Sequence, residues 1–105
     1  AGVCNSTRGV FAGDYPAANH IDYITIATLG NAQNFGDLTA PRFLNAGVSS
    51  PTRGVFAGGY SPSEPSATNS IEYIAIPTQG DAVDFGDLTD ASYGSGGICN
   101  AHGGL

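Results

Sequence analysis

TRGVFAGDY (7–15) and TRGVFAGGY (52–60) are one stretch written twice, 45 residues apart. A second stretch behaves in the same way. IDYITIATLGNAQNFGDLT (21–39) returns as IEYIAIPTQGDAVDFGDLT (71–89), 50 residues on. The difference between the two offsets falls in one loop, PAANH (16–20) against SPSEPSATNS (61–70). All ten aromatic residues form matched pairs across this repeat: Phe11/Phe56, Tyr15/Tyr60, Tyr23/Tyr73, Phe35/Phe85 and Phe43/Tyr93. Self-similarity at a fixed period marks a repeat architecture. Large aromatics dominate core energetics, so the two repeats are expected to build the same core twice.

Inside each repeat the pattern is all-β. Ile21, Tyr23 and Thr25 alternate with Asp22, Ile24 and Ile26 in a run rich in β-branched and aromatic residues. Sixteen Gly and six Pro punctuate the chain as turn residues do between short strands. No segment sustains an i, i+3, i+4, i+7 apolar pattern, so little or no helix is expected. The complete repeat predicts four antiparallel strands over 42–50, 52–60, 70–76 and 82–89. Its small residues at 46–47 and 57–59 allow strands to crowd closely. TQGD (78–81) and TLGN (28–31) read as tight hairpin turns between the third and fourth strands.

At this level of detail the residues resemble a known family. Pro41-Arg42, a strand of small residues, a hydrophobic strand ending Gly58-Gly59-Tyr60, then Ile71-Glu72-Tyr73 and Phe85-Gly86-Asp87-Leu88 resemble a kelch repeat. TRGVFAGG, with IEYIAI and DFGDLT, is similar to kelch-like repeats in structural proteins of cyanophages and related environmental viruses. The resemblance covers nearly the whole chain. It departs from the general kelch pattern where Phe35 and Phe85 replace the usual Trp of the fourth strand, where Asp14 breaks the diglycine, and where Ser92 takes the place of Arg42 in the next copy. It implies four-stranded blades of a β-propeller and a virion or fibre component.

The two ends repeat each other as well. AGVCNSTRGV (1–10), AGVSSPTRGV (46–55) and GGICNAHGGL (96–105) are copies of one segment. The expected division is a first repeat over 1–39 lacking most of its first strand, a complete repeat over 40–89, and a further first strand in 90–105. That is two blades' worth of strands, permuted. Propellers typically need four to eight blades, so two cannot close a ring. Unpaired edges invite association. The expectation is therefore self-association by strand sharing between chains, into a closed ring or, head to tail, a filament. A duller reading is a piece of a longer repeat array, and the absence of Met fits a processed chain or such a piece.

Composition narrows the function. Three Arg, no Lys and nine acids give a net charge of −6. Nucleic acid is excluded as an expected partner, because its binding rests on Lys and Arg neutralising phosphates. An anionic membrane surface is excluded on the same ground, and no apolar run of about 18 residues is present for membrane insertion. Charged residues are 11% of the chain, so Gly, Ser, Thr and Asn carry the surface. That suits dense assemblies, glycoproteins and extracellular β-proteins, with an extracellular or virion-surface location expected.

Catalytic chemistry finds no foothold. His20 and His102 are not equivalent, and neither lies near a Ser or Cys motif. No catalytic residue, metal site or cofactor is expected. Asp81, Asp84, Asp87 and Asp90 could offer oxygens to calcium, but the counterparts Asn31, Asn34, Asp37 and Ala40 carry far less charge. Turn and loop hydrogen bonding is the favoured role. Cys4 and Cys99, at equivalent positions, are candidates for a disulfide within or between chains, or are small buried hydrophobes. Asn5 heads the sequon NST (5–7) and is the N-glycosylation candidate. Arg8 and Arg53 are expected to make ion pairs or carbonyl contacts, with Asp37 and Asp87 as the acids. Tyr15 and Tyr60, at the ends of the second strands, pack or stack on sugars. The leading expectation is a non-enzymatic structural protein of a fibre or virion appendage. The alternative is a lectin-like module of a phage fibre, with glycans as partners.

Overall fold

The structure is a computed structural model that describes residues 1–16, 18–62 and 66–99. The described chain is all-β, in two antiparallel sheets. Sheet 1 is a four-stranded meander of β1 (Gly2–Cys4), β2 (Arg8–Ala12), β3 (Ala18–Thr25) and β4 (Gln33–Arg42). Sheet 2 repeats it with β5 (Ala46–Ser49), β6 (Arg53–Ala57), β7 (Tyr60–Ser61), β8 (Ser66–Ala75) and β9 (Val83–Ser92). The registers are copies. Val10 pairs with Tyr23 in sheet 1 as Val55 pairs with Tyr73 in sheet 2. Both third strands show register shifts against the fourth, at Ile21/Asp22 and at Ile71/Glu72.

Strand alternation sends successive side chains to opposite faces. One face of sheet 1 therefore carries Val10, Ala12, Ile21, Tyr23, Phe35 and Leu38, all buried. It packs on the face of sheet 2 carrying Phe56, Ile74, Ile76 and Ala82, and Val3 joins the same cluster. The sheets also meet along their backbones. Gly80 N–H donates to Phe35 C=O (3.0 Å), and Ala82 N–H to Asp37 C=O (2.8 Å). This close approach needs a glycine at 36, because a Cβ there would run into the Gly80 carbonyl. The chain passes between sheets through Leu44 at φ 61°, and Phe43 and Tyr60 exchange backbone hydrogen bonds of 3.1 and 2.8 Å.

The strands depart from expectation in instructive places. The predicted 52–60 strand breaks into β6 and β7, because Gly58 and Gly59 turn at φ 69° and 110°. The 42–50 strand shrinks to Ala46–Ser49, since Arg42 completes β4. β8 begins at Ser66, inside the segment expected as loop, where Ala67 pairs with Tyr60. The hairpin turns sit earlier than TLGN and TQGD: Thr28 N–H closes on Thr25 C=O and Thr78 N–H on Ala75 C=O. Sheet 1 has its own first strand. Ala12 N–H donates to Ala1 C=O (2.9 Å), extending β1 to nearly the length of β5. Residues 93–99, expected as a strand, form none.

Candidate functional site

The two outward faces of this pair of sheets are the candidate site, because each is a chemical copy of one half of the interface between them. The outer face of sheet 2 carries Val55, Ala57, Ile71, Tyr73, Phe85 and Leu88. These are, residue for residue, the types that sheet 1 buries at Val10, Ala12, Ile21, Tyr23, Phe35 and Leu38. Phe35 is 3% exposed and its copy Phe85 is 53% exposed. The outer face of sheet 1 carries Phe11, Ile24, Ile26 and Ala32, the copies of Phe56, Ile74, Ile76 and Ala82. Ile76 is fully buried and Ile26 is 53% exposed. Val83, paired with Tyr73, adds further exposed apolar surface to the outer face of sheet 2. Apolar surface therefore lies on both sides of the pair of sheets.

The internal interface also has polar parts. Glu72, fully buried, forms an ion pair with Arg42, itself buried. Glu72 also accepts from Thr39 N–H (2.9 Å) and Thr39 Oγ1 (2.7 Å), and Arg42 donates to Gly58 C=O (3.2 Å). A buried pair needs such extra hydrogen bonds to offset its desolvation. Tyr23 Oη donates to Gln33 (2.8 Å) and accepts from Gln79 (2.6 Å) across the interface. On the outer faces Asp22 stands in place of Glu72 and Ser92 in place of Arg42. Sequence reasoning missed the Arg42–Glu72 pair. The signal was that both lie where the copies differ.

The expected ion pairs of Arg8 and Arg53 with Asp37 and Asp87 do not form among the described residues. Arg8 instead donates to Ile76 C=O (2.7 Å) and lies 4.5 Å over the Tyr23 ring. Arg53 lies 4.6 Å over Tyr73 in the equivalent place, and no carbonyl among the described residues accepts from it. The side chains of Arg8 and Arg53 project with Tyr23 and Tyr73, so ring faces capture the guanidinium groups before any acid. Asp37 accepts from Ala82 through its carbonyl, donates its N–H to Asp81 Oδ1 (3.0 Å), and has His20 3.8 Å away in an exposed pair. Asp87 pairs with Ser70 in the β8–β9 ladder.

Cys4 and Cys99 are both free and exposed. They flank Ser49: its Oγ accepts from Cys4 N–H (3.3 Å), and its carbonyl accepts from Cys99 Sγ (3.0 Å). Asn5 builds a turn. Its Oδ1 accepts from Thr7 N–H, Thr7 Oγ1 and Arg8 N–H, and its Nδ2 donates to Pro51 C=O (3.1 Å). Tyr15 and Tyr60 belong to a run of rings, Tyr15–Phe43–Tyr60–Tyr93, with centroids 5.2, 5.5 and 5.8 Å apart; the outer two contacts are edge-on and the middle one is tilted at 54°. Phe43 links the two sheets, so the run crosses from one repeat to the next.

A cleft of about 390 Å³ opens beside Thr39, Arg42, Thr68 and Ser70. Its one charged side chain, Arg42, is already paired with Glu72. Among the described residues no group of three or more His, Cys, Asp or Glu is placed to hold a metal. No helix among them is long and apolar enough to cross a membrane. The α-amino group of Ala1 sits against Ala12 C=O (2.6 Å). Burial lowers its pKa below the ordinary 8.0, and Asp14 opposes that shift. His102 and residues 63–65 of the SPSEPSATNS loop lie outside the described residues. No family model and no curated protein matches the chain.

Proposed function

We propose that this chain is a non-enzymatic structural protein whose sheets are kelch-like propeller blades, and that it assembles with copies of itself into an extracellular fibre or virion appendage. The observation that carries this reading is the match between the outer faces and the internal interface. The face bearing Phe85, Leu88 and Tyr73 has the composition that already packs, within the chain, on a face like that bearing Phe11, Ile24 and Ile26. The fitting occupant of each face is therefore the opposite face of a second copy. Such a contact is heterologous. It generates a ring if its rotation closes and a filament if it does not. The low charge and the resemblance of TRGVFAGG and FGDLT to virion-type repeats support the setting.

The test is sedimentation and electron microscopy of the purified chain over a wide concentration range. Concentration-dependent oligomers, appearing as rings or fibres, are expected. A well-folded monomer at millimolar concentration would end this reading.

One observation favours glycan recognition as a second reading. The Tyr15–Phe43–Tyr60–Tyr93 run offers aromatic surface at its exposed ends, Tyr15 and Tyr93. Aromatic faces stack on the apolar faces of sugars. This reading expects saturable binding on a glycan array that Tyr15→Ala abolishes, and an array without signal counts against it.

A further inference from the structure

The interface between the two sheets has polar contacts of two kinds, and the repeat treats them differently. One kind is kept. Gly80 N–H and Ala82 N–H donate to the Phe35 and Asp37 carbonyls, and Asp81 Oδ1 accepts from Asp37 N–H. The copies are Gly30, Asn31 and Ala32 in sheet 1 and Phe85 and Asp87 in sheet 2. They carry the same donors and acceptors, since Asn31 also offers a side-chain oxygen.

The other kind is replaced, and on both outer faces at once. Gln33 and Gln79 meet on the Tyr23 hydroxyl. In the copies Gln33 becomes Val83 and Gln79 becomes Leu29. Val83 pairs with Tyr73 as Gln33 pairs with Tyr23. The turn holding Leu29 closes from Thr28 to Thr25 as the turn holding Gln79 closes from Thr78 to Ala75. The Gln79 turn leans towards sheet 1, on the side of sheet 2 that carries Ile74 and Ile76. By the same geometry Leu29 stands on the side of sheet 1 that carries Ile24 and Ile26, away from sheet 2. Leu29 is fully exposed. The ion pair changes in the same fashion: Arg42 becomes Ser92, and Glu72 becomes the shorter Asp22.

Leu29 and Asp22 thus belong to one outer face and Val83 and Ser92 to the other, with both sheets between them. Each change on one face nevertheless matches a change on the other. One half of the amide set is lost with the other half, and the acid shortens where the cation is lost. Such matching is expected of surfaces that meet. Resting on the assembly reading above, we propose that the outer face of sheet 2 takes sheet 1 of a second copy, with Leu29 of that copy packed on Val83 and the edge of the Tyr73 ring, and that it selects sheet 1 over sheet 2. A sheet 2 on that face would bring Glu72 against Ser92, burying an acid with no cation, which costs far more than leaving the pair out altogether. A sheet 1 brings Asp22, within the setting of Thr89, the copy of Thr39 that donates to Glu72. Discrimination of this kind works by penalising the wrong partner. The matching resides in the faces, so any neighbour is defined by the face it presents.

Leu29 and Val83 cannot touch within one molecule, so coupling between them arises only between molecules. Sedimentation of the 105-residue chain measures it in the parent, Leu29→Gln, Val83→Gln and the double variant. Each single change sets an amide against an apolar partner and should weaken association about fivefold. The double variant rebuilds the amide set at Tyr73 and should associate within about twofold of the parent, whereas independent sites would multiply their losses. Singles without effect, or a double variant weakened by the full product of the singles, overturn this proposal and leave the assembly reading standing. If the parent does not associate, both fail. A cross-link gives a second measure. Leu29→Cys with Val83→Cys, in a Cys4→Ser, Cys99→Ser background, should be joined by a short bismaleimide into dimers and longer chains at concentrations where the parent associates. Leu29→Cys alone in that background should remain unlinked. Equal linkage of the two overturns the placement of Leu29 on Val83.

Discussion

Phe35 and Phe85 are the same residue in the same local sequence, and only the covering sheet differs. The first is buried against sheet 2 and the second faces outward. Phe35→Ala removes a fully packed ring, and large-to-small changes of this type cost about 3–5 kcal/mol. Phe85→Ala removes a ring that is half in water already and cannot leave a closed cavity, so a cost of about 1–2 kcal/mol is expected. Urea unfolding, followed by far-UV circular dichroism because the chain has no Trp, measures both. The order reverses for self-association. Covering the exposed half of Phe85 is worth about 1 kcal/mol, so Phe85→Ala should weaken association by about five- to tenfold. Phe35→Ala should leave association per folded molecule unchanged. Equal stability costs for the two variants would refute the burial difference between the faces. Unaltered association in Phe85→Ala would refute the use of that face.

The buried pair gives a sharper loss: Glu72→Ala strands the Arg42 charge and should cost about 3–5 kcal/mol, and Arg42→Met with Glu72→Leu should restore most of it in the same unfolding assay. Tyr23→Phe gives up the hydrogen bonds with Gln33 and Gln79 and should cost about 1–2 kcal/mol, whereas Tyr73→Phe, with no hydroxyl partner among the described residues, should be near neutral. The Ala1 amine predicts a pH effect in the 105-residue chain with a free amino group. Its folded pKa lies below 8.0, so the unfolded chain holds more protons between the two values and stability rises with pH through that window. Urea midpoints should climb as pH approaches 8.0 and then level off, and acetylating Ala1 should flatten the profile.

The period was legible because Val10, Tyr23 and Phe35 recur with their neighbours intact, and identical strands make identical registers. The strand ends were not. Gly58-Gly59 reads as the tail of a hydrophobic strand, yet two successive positive-φ residues end β6 and start β7. Ala67–Ser70 reads as polar loop, yet these residues continue β8, because the Tyr60–Ala67 pair and the Thr68–Ser92 pair supply partners from distant sequence. The inner and outer faces were equally invisible. Nothing local distinguishes Phe35 from Phe85, since burial is decided by which copy has a neighbour. Arg8 makes the carbonyl contact expected of it, but the expected ion pairs do not form, for a related reason: the guanidinium groups lie over rings on the adjacent strands, which a list of nearby acids does not contain.

The substitution of Ser92 for Arg42 has a mechanical consequence. In a head-to-tail stack every second interface lies within a chain and is locked by the Arg42–Glu72 pair. In such a stack the interfaces between chains would place Ser92 opposite Asp22 instead, without a cation. A stack of this kind would have weak planes at a spacing of two sheets. Under load or dilution it should part between molecules and leave each one intact, so that breakage returns subunits able to join again.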